Sequence, residues 1–205
     1  MPQIYQEVSE TRAWGLWKIE ESEETLRHLT SEIAPQEIKH PEKRLEYLAV
    51  RALIKKLLLV WGANFKGLTK NEHGKPFLKN LNFHVSLSHS FPYVTAILDK
   101  EKTVGIDLEH SKAKLLKIGP RMLHSGEYED AGKDITKLCV YWCAKETMLK
   151  VYGKKDLIFA ENLLVEPFIL KEKGNFVGRI IVNNQTTTIP LHYRLFKDFA
   201  IVYNL

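Results

Sequence analysis

Apolar and polar positions recur along the chain with both the two-residue period of strands and the longer period of helices, which predicts a mixed set of elements. Residues 12–19, Arg-Ala-Trp-Gly-Leu-Trp-Lys-Ile, read as a strand and residues 22–33 as a short helix. A longer helix over 42–60, rich in Leu, Ala, Lys and Arg, begins just after Pro41, where the fixed φ of proline suits a first turn. Asn71 to Pro76 is a turn, and residues 83–88 and 92–98 are strands around the polar Ser88-His89-Ser90 and Pro92. Val104 to Glu109 forms a further strand, followed by a helical but less regular stretch to residue 130. A helix over 134–152 is closed by Gly153. Residues 157–205 carry β-branched and aromatic runs broken at Lys173-Gly174-Asn175 and Asn183-Asn184-Gln185, which predicts hairpins. No low-complexity stretch or linker interrupts this layout.

Two of these elements carry acids in apolar surroundings. In Val104-Gly105-Ile106-Asp107-Leu108-Glu109 the apolar side chains alternate with Gly105, Asp107 and Glu109, so the two carboxylates project from one face of the strand. Like charges placed this way favour a cation. In the helix, Trp142-Cys143-Ala144-Lys145-Glu146-Thr147-Met148-Leu149-Lys150 continues an apolar stripe of Ile135, Leu138, Cys139, Trp142 and Leu149, and Glu146 falls near its middle. A carboxylate there must be protonated, paired with a base or bound to a metal, because burying it alone costs far more than a packing contact returns. Lys150 lies one turn further on the same face. Singly, an Asp-x-Glu is most often a solvated strand edge and a Glu–Lys pair a surface ion pair. The apolar setting of both segments favours a metal and phosphate site instead.

Composition narrows the class without choosing the partner. A chain of 205 residues holds one domain with a good core or two tightly joined small lobes, and 44% hydrophobic residues exclude disorder. Thirty Lys and Arg against 25 Asp and Glu give a net charge of +5, and the pI is near 9.0. That balance favours anionic partners, whether nucleic acid, phosphorylated cofactors or acidic proteins. Cys139 and Cys143 lack the neighbouring Cys or His of a zinc site and read as reduced packing thiols. The opening Met1-Pro2-Gln3-Ile4-Tyr5-Gln6-Glu7 has neither a basic run nor an apolar stretch, and no segment approaches a membrane-spanning length. The expectation is a soluble, cytoplasmic protein.

The motif Gly105-Ile106-Asp107-Leu108-Glu109, the pattern Trp142-x-x-Lys145-Glu146-x-x-x-Lys150, and the upstream Gly74-Lys75-Pro76 and Ser88-His89-Ser90 occur in one order along the chain. Together they give a sequence that resembles the 4′-phosphopantetheinyl transferase superfamily, in its longer surfactin-type branch, over nearly the whole length. The resemblance implies an α+β fold of two pseudo-symmetric lobes, each an antiparallel sheet packed with a long helix. Residues 1–102 would form a coenzyme A-binding lobe and residues 103–205 a metal-binding, catalytic lobe. The implied reaction moves 4′-phosphopantetheine from coenzyme A to a serine of an acyl or peptidyl carrier protein and releases 3′,5′-ADP.

A diphosphate repels the attacking oxygen and gathers charge on the departing one, so such a site needs a divalent cation and ammonium groups. By resemblance Asp107, Glu109 and Glu146 would hold Mg²⁺, or Mn²⁺ in its place. Asp107, Glu146 and Lys150 would be catalytic, with Glu146 as candidate base and Lys150 neutralising the pyrophosphate. Ser88 and His89 would bind coenzyme A phosphates, Lys75 and Pro76 would border the adenine, and Arg44 would meet the 3′-phosphate. A monomer serving fatty acid, polyketide or nonribosomal peptide synthesis is implied, with no nucleic-acid or membrane partner.

Some features stand apart from this picture. Where relatives place basic residues in the short helix, this chain has Glu20-Glu21-Ser22-Glu23-Glu24 and only Arg27, which weakens phosphate binding from that side. The stretch Lys112 to Met122 reads either as an amphipathic surface helix or as a docking face, with Lys112, Lys114, Lys117 and Arg121 steering an acidic carrier toward exposed Leu or Met. A weak internal echo lays Tyr47 to Lys55 on Trp142 to Lys150, and Gly15 to Lys18 on Gly105 to Leu108. The competing reading is a metal-dependent nuclease or phosphohydrolase, which also clusters acids with a lysine. The four-residue helical spacing of Glu146 and Lys150 argues against it. A non-catalytic coenzyme A or carrier-binding module is the third possibility, opposed by the intact acids.

Overall fold

A computed structural model describes residues 3–205; Met1 and Pro2, which open the segment read for a leader, lie outside the described residues. The chain divides into two compact units, the first ending at Val104 and the second running from Gly105 to Leu205. Both are α+β with antiparallel sheets, as the resemblance implies.

In the first unit β1 (Gln3–Val8), β2 (Arg12–Lys18), β5 (His84–Ser90) and β6 (Tyr93–Asp99) form a sheet in the order β1-β2-β6-β5. Strand β1 is an element the apolar pattern did not single out. Between β2 and β5 come α1 (Glu23–Thr30), α2 (Pro41–Leu59) and a small hairpin of β3 (Leu68–Lys70) and β4 (Pro76–Leu78). Helix α1 is capped by Ser22, whose hydroxyl accepts from the Thr25 amide at 3.2 Å, and it stops at Ser31, which adopts a left-handed φ of 58°. It is therefore shorter than the predicted 22–33. Helix α2 carries Leu48, Ala49, Val50, Leu53, Ile54, Leu57 and Leu58 into a core closed by Ala13, Trp17, Val94, Ala96 and Leu98. Truncating Leu53, which is fully buried, to alanine would cost about 2–5 kcal/mol.

The second unit opens with β7 (Ile106–His110), passes through α3 (Lys114–Met122), α4 (Ser125–Ala131), α5 (Ile135–Tyr152) and the short α6 (Phe159–Asn162), and returns as β8 (Leu163–Val165), β9 (Lys173–Val182), β10 (Gln185–Leu195) and β11 (Phe199–Asn204). The strand order is β7-β11-β10-β9-β8. Asp134 caps α5 by accepting from the Thr136 and Lys137 amides, and Gly153 ends it at φ 81°. The helix is buried on more than the one stripe read from sequence: Val140, Tyr141, Cys143, Ala144, Lys145 and Met148 are all inaccessible. Both cysteines are free and buried within this core.

Two readings of the sequence are corrected here. Lys173-Gly174-Asn175 is not a break but the start of β9, paired with β10. Gly174 is there because a Cβ would stand 2.9 Å from the Tyr193 ring, so the glycine permits a close approach rather than a turn. From Lys112 to Met122, Leu115 and Met122 are buried and Leu116 and Ile118 pack half-buried against the core, while Lys112, Lys114, Lys117 and Arg121 are exposed with Ala113 and Pro120, so the Leu, Ile and Met side chains of that stretch serve the core. By contrast Asn183 and Asn184, both at positive φ, make the β9–β10 turn as predicted.

Candidate functional site

The second unit brings Asp107, Glu146 and Lys150 together. Strand β7 pairs with β11, its Asp107 opposite Val202, and α5 lies on both strands. The approach is close because residue 105 is glycine: a Cβ there would fall 2.3 Å from the Thr147 carbonyl oxygen and 2.9 Å from the Val151 side chain. Thr147 reinforces the contact by donating to the Val202 carbonyl at 2.9 Å. The α5 residues one turn apart, Glu146 and Lys150, are thereby brought to β7.

Lys150 donates to Oδ1 of Asp107 at 2.8 Å and to the Ile106 carbonyl at 2.8 Å. Asp107 is buried, while the lysine is about a quarter exposed (27%). Glu109 accepts from Lys114 at 3.2 Å and from the His110 amide at 2.9 Å. Glu146 is largely buried, and its carboxyl is pushed up to about 7, first by burial and then by the neighbouring negative charge of Asp107 and, less strongly, Glu109. Lys150 and Lys155 oppose that shift without cancelling it. A carboxyl that titrates near neutrality beside two others is the electrostatic mark of a site awaiting positive charge.

Among the described residues no three Asp, Glu, His or Cys side chains are grouped closely enough to hold a metal ion, so the three converging acids expected from sequence are not a preformed cluster. The reason is visible in the pairing: Lys150 occupies Asp107 and Lys114 occupies Glu109. The donor chemistry still suits a hard divalent cation. Carboxylate oxygens are its usual ligands, one or two of them suffice for Mg²⁺, and their mutual repulsion is what a dication would relieve.

The first unit holds the other sequence-derived candidates. Lys75 follows Gly74, at φ 84°, in the turn before β4, where Pro76 starts the strand; burial pushes the Lys75 ammonium below its ordinary pKa. Ser88 and His89 lie on β5 opposite Thr95 and Val94, the serine buried and the histidine exposed. Arg44, expected by resemblance to meet the 3′-phosphate, is engaged within the first unit. Its guanidinium makes two bonds to Glu23, at 2.8 and 2.6 Å, and two more to the Pro35 and Ile38 carbonyls at 3.2 Å. Four of its five N–H groups thus tie α1 and the following loop to α2, and the acidic start of α1 noted in the sequence supplies the partner.

Sequence reasoning missed two buried charged groups. Lys145, fully buried, bonds to Glu127 at 2.7 Å, to the Phe159 carbonyl at 2.8 Å and to the Leu163 carbonyl. Glu127 also accepts from the amides of His124 (2.8 Å) and Val165 (2.6 Å), joining α4, α5 and β8. The His124-to-Glu127 spacing of a capping box was the available signal. The second is Glu46 on α2, in contact with Lys43 and His89.

Comparison with known proteins follows the same residues. Residues 103–203 match the family model described as the 4′-phosphopantetheinyl transferase superfamily. Over 90 residues the chain is 31% identical to the 4′-phosphopantetheinyl transferase gsp of Aneurinibacillus migulanus, a stretch that is 42% of this chain and 37% of that protein. It is 34% identical over 88 residues to the 4′-phosphopantetheinyl transferase psf-1 of Bacillus pumilus, covering 40% of this chain and 37% of the relative. It is 35% identical over 89 residues to the 4′-phosphopantetheinyl transferase Sfp of Bacillus subtilis (strain 168), covering 40% and 39%. The matched stretch therefore spans less than two-fifths of each of these relatives. No helix among the described residues is long and apolar enough to cross a membrane. Asp107, Glu146 and Lys150 all lie inside the stretch that matches the 4′-phosphopantetheinyl transferase superfamily model.

Proposed function

We propose that the protein transfers 4′-phosphopantetheine from coenzyme A to a serine hydroxyl of an acyl or peptidyl carrier protein, with 3′,5′-ADP as leaving group. The observation that carries this reading is Glu146, a carboxyl held near pKa 7 beside Asp107 and the Lys150 ammonium, within the stretch that matches the family. The curated relatives are named for the same transfer.

A serine hydroxyl is a weak nucleophile and needs a base whose pKa lies close to the working pH. Glu146 meets that requirement: at neutrality a large share of it is ionised and able to take the hydroxyl proton. The departing 3′,5′-ADP oxygen belongs to a phosphate of low pKa and needs no strong acid. Lys150, anchored by Asp107 and the Ile106 carbonyl, retains solvent access and can bond a diphosphate oxygen as that oxygen gains charge. One or two of Asp107, Glu109 and Glu146 would hold Mg²⁺, or Mn²⁺ with the same ligand preference, which when bound would supply the positive charge that a diphosphate needs when an oxygen attacks it. In the first unit, Ser88 and His89 are assigned to coenzyme A phosphates, and Lys75 with Pro76 to the adenine side. The same reading makes the protein a cytoplasmic monomer, whose size in solution is measurable by light scattering.

The test uses the purified chain, Mg²⁺, a fluorescent coenzyme A and an apo carrier protein. Label is expected on the carrier serine, and Asp107→Ala and Glu146→Ala are expected to remove it while the far-ultraviolet circular dichroism is unchanged. Equal labelling by either variant would refute the site. Lys75→Ala should raise the KM for coenzyme A more than it lowers kcat, and an unchanged KM counts against the adenine-side assignment.

A further inference from the structure

Glu46 is the least accessible acid of the first unit, its side chain 1% exposed, although it sits in the second turn of α2 where an apolar residue would cost nothing to bury. Two bases converge on one of its oxygens. The Lys43 Nζ is 2.7 Å from Oε2 and the His89 Nδ1 is 3.0 Å from the same atom. Burial alone would raise the Glu46 carboxyl, but the bonds from His89 and Lys43 outweigh it and hold the group below its ordinary pKa, so it is a carboxylate at neutral pH. Its partners are different in exposure: Lys43 is 53% and His89 40% accessible. A hidden anion therefore holds two cationic or cationisable side chains that solvent can reach.

The geometry has a chemical consequence at the imidazole. With Nδ1 directed to the Glu46 carboxylate, Nε2 is the nitrogen left for a ligand. A phosphate oxygen at Nε2 would meet a ring backed by the Glu46 carboxylate at Nδ1, with the Lys43 ammonium on the same carboxylate oxygen. Arg44, one residue away on α2, is engaged by Glu23 and two carbonyls and offers no comparable group.

We infer that Glu46 is a positioning residue that sets His89 and Lys43 as a joint donor pair for a phosphate of coenzyme A, with Lys43 rather than Arg44 as the α2 cation of that pair. The assignment rests on the transferase reading above, and calorimetric titration of the full chain with coenzyme A, without any carrier, separates the two. The wild-type chain should bind; Glu46→Gln should bind about tenfold more weakly, a loss of one charge-assisted bond. In a His89→Ala background the Glu46→Gln change should cost less than about threefold, because coupled groups lose energy together.

Lys43→Gln should weaken binding as Glu46→Gln does, whereas Arg44→Gln should lower the melting temperature and leave affinity unchanged. The His89 ring ¹⁵N shifts of the ligand-free wild type should show a protonated Nδ1, and those of Glu46→Gln should move. If wild type fails to bind coenzyme A, the transferase reading falls and this assignment with it. If wild type binds and Glu46→Gln binds equally, or loses the same factor with and without His89, the positioning role alone is overturned. Should Glu46→Gln not fold, Lys43→Gln and Arg44→Gln decide by their affinities, a loss confined to Arg44→Gln overturning the assignment.

Discussion

The two units of this chain share a plan and differ in what they do with it. In the first, β2 is followed by α2, the last strand β6 returns beside β2, and β5 pairs on β6. In the second, β7 is followed by α5, the last strand β11 returns beside β7, and β10 pairs on β11. Each long helix passes over a glycine, Gly15 within β2 meeting Leu53 and Leu57 and Gly105 just before β7 meeting Thr147 and Val151. When the echo is laid out residue by residue, Asp107 and Glu109 fall on Trp17 and Ile19, and Glu146 and Lys150 on Arg51 and Lys55. Trp17 and Ile19 are buried core, Arg51 bonds Glu32 at 2.8 Å, and Lys55 donates to the Leu29 carbonyl. One framework thus carries acids crowded until a proton is held near neutrality, and the other carries a filled core with an Arg51–Glu32 ion pair. The backbone plan does not specify chemistry; a few side chains on the strand and helix do.

The largest expected effect breaks the equivalence outright. Glu146→Gln removes the candidate base and should slow carrier labelling by about 10⁴-fold, or about 5 kcal/mol in the barrier. Arg51→Gln, at the matching helix position, should leave kcat within about twofold and register instead as lost stability, since its role is to hold Glu32. Single-turnover rates and urea unfolding of both variants separate the cases; a comparable loss of kcat in Arg51→Gln would show that the first unit shares in the chemistry.

The next effect concerns a position where the helices differ inside the core. Lys145 of α5 falls on Val50 of α2, and both are buried. Lys145→Met strands Glu127 as an unpaired buried charge and should cost about 3–5 kcal/mol in urea unfolding. Adding Glu127→Gln should return part of that loss by removing the buried charge, although its single amide oxygen can accept from only one of the His124 and Val165 amides, which donate to different oxygens of Glu127. Full stability in Lys145→Met would mean that the buried pair contributes nothing.

Much of this arrangement was legible in the sequence because periodicity is local. The alternation of Val104, Ile106 and Leu108 placed Asp107 and Glu109 on β7, and proline, glycine and asparagine marked the ends of α2, α5 and the β9–β10 turn. What escaped depended on partners distant in the chain. Gly174 reads as a turn until Tyr193 is placed against it, Arg44 reads as an anion ligand until Glu23 and two carbonyls surround it, and Glu46 looks like a surface residue until His89 and Lys43 close on it. Lys145 hides for the same reason, since only a folded chain brings Glu127 to it.

A smaller effect compares the two glycines. At Gly105 an added methyl would lie 2.3 Å from a backbone oxygen, which cannot swing aside, whereas at Gly15 it would lie 3.0 Å from the end of the Leu53 side chain, which can. Gly105→Ala should therefore sit at or above the top of the range of about 1–3 kcal/mol for overpacking, and Gly15→Ala at its lower end. Gly105→Ala should also lower the labelling rate by moving α5, with Glu146 and Lys150, relative to Asp107. Equal stabilities for the two variants would show that the helix-to-strand fit is no tighter in the second unit.

The smallest effect is the difference in titration between the acids of the two units. Glu46 and Asp99 have carboxyls lowered from their ordinary values: burial raises each, but His89 and Lys43 at Glu46, and the Lys102 and Glu101 amides with Arg12 at Asp99, outweigh it. Each contributes stability that is complete above the unfolded carboxylate range and lost as pH falls through the lower folded value. Glu146 has the opposite sign. Its folded pKa of about 7 lies above the ordinary 4.5, so the native state binds the extra proton between those values, and stability from that proton is present below 4.5 and lost as pH rises through about 7. In the metal-free protein the ¹³C shift of the Glu146 carboxyl should titrate near 7, and Glu146→Gln should flatten the decline in stability over that window. Adding Mg²⁺ should pull the titration downward, because a dication stabilises the ionised form. A Glu146 midpoint near 4.5 without metal would erase the contrast between the units and remove the physical ground for assigning it as base.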